Sequence, residues 1–234
     1  MQHFDRRGDN MKLVTFQTID AVKDLFKKGY LETDESKIDF KKLGTTYLWI
    51  LDKMNEKVAN PNNTKYPLWC WVKCYNGICP AKRRGKKAEG FDVKITFNKN
   101  EKDVFITDFR RYSFLLNNIY IPNSLKEKEE FDKVLDKYNI TIDDLKAYVR
   151  TDKYDKHRTD KEYLDVCNKI KKTFDRCITQ NSDVLQGCVW RINLDEIEKI
   201  EILPDDGYTY GSLNYIRKNG KRIDWQKDYY RRLK

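Results

Sequence analysis

Three helix-start signatures follow one another in the middle of this chain, and strand-like runs stand on both sides of them. Ser124 with Glu127, Thr141 with Asp144, and Thr159 with Glu162 each place a hydroxyl three residues ahead of a carboxylate. At that spacing a cap and the first-turn amides satisfy one another. Before these signatures, residues 66–74, 91–97 and 104–107 are short, rich in aromatic and β-branched side chains, and alternate in polarity. After them, residues 186–192 and 197–203 do the same. The early strands cannot bury both faces alone, so the late ones are expected to join their sheet. The expected class is therefore α+β: a single mixed or antiparallel sheet with flanking helices and a helical insertion over about 124–178. One domain over 11–234, behind a polar tail of residues 1–10, accommodates all of it.

The remaining segments carry their own punctuation. Residues 12–17 read as a first strand around Leu13, Val14 and Phe16. Thr18 can cap the helix that follows, Ala21, Val22, Leu25 and Phe26 form its stripe, and Gly29 ends it. A second helix over about 45–58 carries Leu48, Leu51, Met54 and Val58, and Asn60-Pro61-Asn62-Asn63 breaks it. The strands 91–97 and 104–107 are expected to form a hairpin about the turn at 98–100.

Charge narrows the classes of partner. Lysine and arginine number 47 against 37 acidic residues, a formal +10, which favours polyanions such as nucleic acid or a phosphate-bearing ligand. The density is highest at Lys82, Arg83 and Arg84 and in the tail around Arg217 and Arg222, which together could form a phosphate-contacting rim. The competing reading is a solubilising surface. An aromatic content of 13% marks a globular chain. No apolar run reaches the roughly 18–20 residues that span a bilayer, and residues 1–10 lack an apolar export segment. A cytoplasmic protein with no membrane partner is the expectation. The six cysteines lack paired metal-ligand spacing and only His3 and His157 are present, so no metal site is expected. No phosphate-binding loop, Gly-rich dinucleotide turn, zinc helix or nucleophile elbow occurs.

Three constellations remain. In YPLWCWVKC, Trp69, Trp71 and Lys73 alternate against Leu68, Cys70, Val72 and Cys74. The second set reads as core. The first offers flat indoles for stacking a base or nicotinamide, unless that face is also covered and both tryptophans are core. In VFITDFRRYSFLLNNIYIP, Asp108 ends a strand ahead of Tyr112 and Asn117-Asn118. Asp108 could orient a ligand hydroxyl or cap a helix, and the asparagines could bond a ligand or cap its end. In LQGCVWRI, Gln186 opens an otherwise apolar strand face, where it reaches either a ligand or a loop backbone.

The segments MKLVTFQTIDAVKDLFKKGYL, KYPLWCWVKC, VFITDFRRYSFLLNNIYIP and LQGCVWRINLDEI occur in an order that resembles the bacterial family called domain of unknown function 3841. The likeness spans residues 11–203, with the TDF…LNN block its most specific part. The layout also resembles ADP-ribosyltransferase domains, which split NAD and transfer ADP-ribose, and whose motif positions lie on a first strand, a second strand and a late strand. That resemblance implies NAD as substrate. Thr15 or Gln17 would contact it, Trp69 or Trp71 would stack the nicotinamide, and Gln186 would orient the ribose. From the strand-end segment, Asp108 joins Gln186 as a catalytic candidate, and Tyr112 and Asn118 join the NAD-binding candidates. The first strand lacks the usual His or Arg, and glutamine stands where such domains carry a catalytic glutamate. This weighs against hydrolytic or protein-directed transfer and leaves open transfer to a nucleic-acid base, which would suit the positive charge. The alternative is a non-catalytic basic module that stacks single-stranded bases on Trp69 and Trp71.

Overall fold

A computed structural model describes residues 10–38, 40–74, 93–149, 158–202, 217–218 and 221–222. Two compact units make up the chain: one of Met1–Asp34, Lys57–Ile106 and Asp183–Ile223, the other of Glu35–Glu56, Thr107–Ser182 and Asp224–Lys234. The α+β class holds, and the helical stretch expected over 124–178 lies within the second unit. The polar tail and the basic loop 82–87 lie outside the described residues, apart from Asn10.

The strands, in chain order, are β1 (Asn10–Gln17), β2 (Tyr30–Leu31), β3 (Leu68–Lys73), β4 (Val93–Asn100), β5 (Phe105–Asp108), β6 (Leu185–Val189), β7 (Ile192–Asn193), β8 (Ile197–Ile202), β9 (Arg217–Lys218) and β10 (Lys221–Arg222). Six of them form one sheet in the order β5-β6-β3-β1-β4-β8. The pairs β1/β3, β1/β4, β3/β6 and β4/β8 are antiparallel. Two small ribbons, β2/β7 and β9/β10, complete the set.

β4 and β5 do not form the expected hairpin. Both edges of β4 are taken, by β1 and β8, and β5 lies at the far edge beside β6. The reason is local: Asn100 accepts a hydrogen bond from the Lys102 amide (3.1 Å) and caps a single helical turn, Glu101–Asp103, which turns the chain out of the β4 edge. Neighbouring strands lie about 4.8 Å apart, so four steps on a flat sheet would measure roughly 19 Å. Only residues 101–104 bridge β4 to β5. The sheet must therefore curl, and Val104 and Ile106 accordingly join Val93 and Phe97 in one apolar cluster.

That cluster defines the covered face of the sheet. Leu13, Cys70, Ile95, Phe97, Leu185 and Val189 pack there with Leu25, Ala21 and Val22 of α1 (Ile19–Lys28). α1 is delimited as its sequence implies. The Thr18 hydroxyl accepts from the Ala21 amide, and Gly29, at φ 80°, donates to the Leu25 carbonyl in a left-handed cap that favours glycine.

The second unit holds most of α2 (Phe40–Lys57), then α3 (Phe109–Leu116), α4 (Leu125–Lys137), α5 (Ile142–Ala147) and α6 (Lys161–Lys171). α2 begins earlier than its apolar stripe suggests. The three helix starts vary on one theme. Thr141 and Asp144 make the full reciprocal box. Ser124 caps α4, but the Glu127 carboxylate takes the Asn123 amide at 2.7 Å instead of the Ser124 amide. α6 is capped one residue late, by Asp160 in place of Thr159, because Asp160 accepts the Tyr163 amide and is held by Arg158. No helix among the described residues is long and apolar enough to cross a membrane.

Candidate functional site

The first, second and late strands that carry the sequence candidates are direct neighbours, β1, β3 and β6. Val14 stands opposite Trp71, and Trp71 stands opposite Gln186, so three strands meet at one level. Trp69 faces Cys188. Opposed residues in an antiparallel pair share a face, so Trp69, Trp71 and Gln186 lie together on the face away from α1. Trp69 and Gln186 are diagonal neighbours on it, a relation that places side chains about 7–8 Å apart.

Burial separates their roles. Trp71 is 6% exposed, which closes its ring to a stacking ligand, whereas Trp69 is only partly buried. Gln186 is likewise partly exposed, although Leu185, Gly187, Cys188 and Val189 around it are buried. Among the described residues no partner bonds the Gln186 carboxamide. Because it is partly exposed, the carboxamide can reach solvent, where a ligand with donor and acceptor groups could meet it. Gly187 leaves β6 room to pack on its other face: a Cβ there would stand 2.9 Å from both Cys70 Sγ and Val104 Cγ1.

Thr15 and Gln17 lie on the opposite face. Thr15 is fully buried and donates to the Trp69 carbonyl (2.8 Å), while Gln17 Nε2 donates to the Thr15 hydroxyl (2.9 Å). Strand alternation places them on the α1 side, so these two cannot share a ligand with Trp69 and Gln186 across the sheet. Their chemistry is to stitch β1 to β3.

In the second unit, Asp108 is the N-cap of α3, accepting the Arg111 amide at 2.9 Å with the buried Arg110 guanidinium 3.9 Å away. Arg110 also donates to the Ser182 hydroxyl. Tyr112 is buried in the core edge-on to Phe174. Asn118 is fully buried at φ 51°, and its side chain donates to the Leu145 carbonyl (3.0 Å) and to Cys167 Sγ (3.3 Å). The TDF…LNN block is thus one short helix with both ends fastened: Asn117 bonds the Ser113 carbonyl and Asn118 ties the end of α3 to α5. These placements give Asp108 a capping role, Tyr112 a place in the core and Asn118 a tie between α3 and α5.

Among the basic candidates, Lys82, Arg83 and Arg84 lie outside the described residues. Arg217 and Arg222 are paired across β9/β10, with Lys218 opposite Lys221. Among the described residues no group of His, Cys, Asp and Glu could hold a metal ion. Cys74 is disulfide-bonded, and Cys70, Cys167, Cys177 and Cys188 are free and buried. Burial pushes the Cys70 thiol up to about 12 and raises Cys167 and Cys177 as well. Thiols held protonated in this way are not nucleophiles.

One polar network was not legible in the sequence. Glu32 accepts from the Thr64 hydroxyl (2.6 Å) and from Arg191 (2.8 Å), whose guanidinium lies 3.9 Å over the Tyr30 ring. Thr33 donates to the Pro67 carbonyl, and Trp190 Nε1 to the Val58 carbonyl. These bonds pin the entry to β3 and the exit of β6, the strands that carry Trp69 and Gln186. Their partners are far apart in the chain and carry no shared motif, so spacing could not announce them.

No curated protein and no solved structure matches the chain. The family model described as a domain of unknown function (DUF3841) matches residues 12–198, and the chain belongs to that family.

Proposed function

We propose that the protein is an NAD-using, ADP-ribosyltransferase-like protein whose ligand lies against the Trp69–Gln186 face and whose acceptor is nucleic acid. The observation that carries this reading is the Gln186 carboxamide, without a partner among the described residues, set in register beside Trp71 and diagonal to the partly exposed Trp69 on three adjacent strands. Trp69 provides a flat surface for the nicotinamide ring, a type of stacking worth about 1–3 kcal/mol. Gln186 bonds the ribose hydroxyls next to it, and Trp71 forms the wall between them. In the transfer step, the bond from nicotinamide nitrogen to ribose C1′ breaks and its electron pair leaves on the nicotinamide. A lone pair of the acceptor forms the new bond to C1′. A carboxamide cannot take a proton from an attacking hydroxyl as a carboxylate can. That selects an acceptor attacking through a lone pair, such as a nucleobase nitrogen, which releases any proton to water afterwards. The basic balance of +10 suits such a target.

The test is incubation of the protein with NAD labelled in its adenosine half and with single-stranded DNA or RNA. Free nicotinamide together with label on the nucleic acid is expected. Absence of both overturns the reading. A second reading, a non-catalytic nucleic-acid module, is favoured by the β9/β10 ribbon, which gathers Arg217, Lys218, Lys221 and Arg222 in two opposed pairs. It predicts NAD-independent binding of single strands that weakens steeply with salt, by a slope of about 0.7 per phosphate contacted.

A further inference from the structure

We infer that the outer edge of β8 is a docking surface for a second copy of this chain, which pairs antiparallel with it about a two-fold axis at Ile200. The inference is independent of the NAD reading. β8 ends the six-stranded sheet: β4 takes one of its edges, and among the described residues nothing bonds the other. Alternate residues of such an edge aim their amide and carbonyl groups outward, which makes it a template for another strand. Its apolar side chains are left open as well. Ile202 stands opposite Val93, a core residue only 2% exposed, yet is itself 77% exposed.

The side chains of β8 select the occupant. A two-fold axis normal to a sheet keeps each side chain on its own face, so it must set one residue opposite its own copy and pair the neighbours reciprocally. For Ile197–Ile202, which reads IEKIEI, few registers remain. A centre at either end leaves most of the strand unpaired. A centre at Glu198, Lys199 or Glu201 sets like charges directly opposite one another, which is destabilising. A centre at Ile200 sets Ile200 against Ile200, Lys199 against the second copy's Glu201, and Glu201 against the second copy's Lys199. Two ion pairs and one apolar pair result, and Ile202 becomes a diagonal neighbour of the second copy's Ile200.

The rest of the strand suits this register. Lys199 bonds Glu201 at 2.8 Å and Lys94 reaches the same carboxylate at 3.2 Å, so these charges share one face and the isoleucines the other. Glu198, the extra residue where β4 and β8 shift register, bonds Lys12 (2.7 Å), on the face away from Ile202. Charges on an edge strand usually block pairing with other chains. Here their pattern is self-complementary, so it admits a second copy in one register only. One pair of edge strands is a small interface, and the association is accordingly weak and concentration-dependent.

Sedimentation velocity over a range of concentrations tests this with the wild type, Lys199→Glu, Glu201→Lys and an equimolar mixture of the two variants. The wild type should pass from monomer to dimer as concentration rises. Each variant alone sets two like-charge pairs across the axis and should dimerise about tenfold more weakly, with a thermal midpoint close to the wild type's. The mixture should recover the dimer, because a strand with two glutamates then faces one with two lysines. As a second measurement, Ile200→Cys should cross-link to its own copy under mild oxidation, since opposed residues of antiparallel strands stand about 4.5–5.5 Å apart at Cα, within disulfide reach. A wild type that stays monomeric throughout, variants that dimerise as the wild type does, a mixture no stronger than its components, or no cross-link at position 200 would each overturn the proposal.

Discussion

Gly187 and Gln186 are adjacent on β6 and show how differently one strand can use its two faces. Gln186 lies on the face away from α1 with no partner for its amide among the described residues, while at Gly187 a Cβ would meet Cys70, Val72 and Val104 on the other face. Gly187→Ala should therefore destabilise the fold by about 1–3 kcal/mol, the usual cost of overpacking, read as a lower denaturant midpoint with an unchanged slope. Glu127 supplies a second residue-scale prediction. Its burial alone would raise its pKa, but the Tyr120 hydroxyl, the Asn123 amide and the Arg176 guanidinium (2.7 Å) outweigh that and hold it below the ordinary glutamate range. A carboxylate depressed in the folded state stabilises above its unfolded pKa, and that contribution is lost as pH falls through the folded value. Wild-type protein should accordingly lose more stability between neutral and acid pH than Glu127→Gln does, measured by urea unfolding across that range. Equal losses would show that Glu127 is not held in this way. At this scale the sequence could name candidates but not choose among their roles. Asp108 and Asn118 each admitted a ligand and a capping role, and only their burial and partners decide for the cap. Thr15 and Trp69 are both plausible ligand contacts until the register places them on opposite faces.

Elements were the most legible level wherever a local signal delimits them. Thr18 and Gly29 mark the ends of α1 because cap chemistry acts over three or four residues, a range that spacing can capture. Thr141 and Asp144 do the same for α5. Where a better acceptor stood one residue away, as Asp160 beside Thr159, the start moved to it. The β4–β5 hairpin was misread because alternation identifies strands but not their partners, and the partners of β4 come from sequence-distant β1 and β8. The capping assignment in α3 makes its own prediction. Asp108→Ala removes the acceptor for the Arg111 amide and a carboxylate 3.9 Å from the buried Arg110. It should cost about 2 kcal/mol, whereas Asp108→Asn, which keeps a cap acceptor, should cost clearly less. Equal midpoints for the two variants in chemical denaturation would contradict the cap.

For the whole molecule, the α+β class and the position of the helical stretch followed from counting strands on either side of three capped helices. The sheet order did not, since no local property of β6 says that it lies between β5 and β3. Yet that order is what assembles the candidate site, by bringing residues 69, 71 and 186 of a 234-residue chain to one face. The functional claim thus reduces to a choice of face. NAD should meet the side of Trp69 and Gln186, not the α1 side of Thr15 and Gln17. Calorimetric titration of NAD into the wild type, Trp69→Ala, Gln186→Ala and Gln17→Ala tests it most directly. Trp69→Ala and Gln186→Ala should each weaken binding about tenfold, in line with the loss of a stacked ring or a ligand hydrogen bond, and Gln17→Ala should bind as the wild type does. Loss of binding in Gln17→Ala with retention in Gln186→Ala, or no heat of binding with the wild type, would contradict the account.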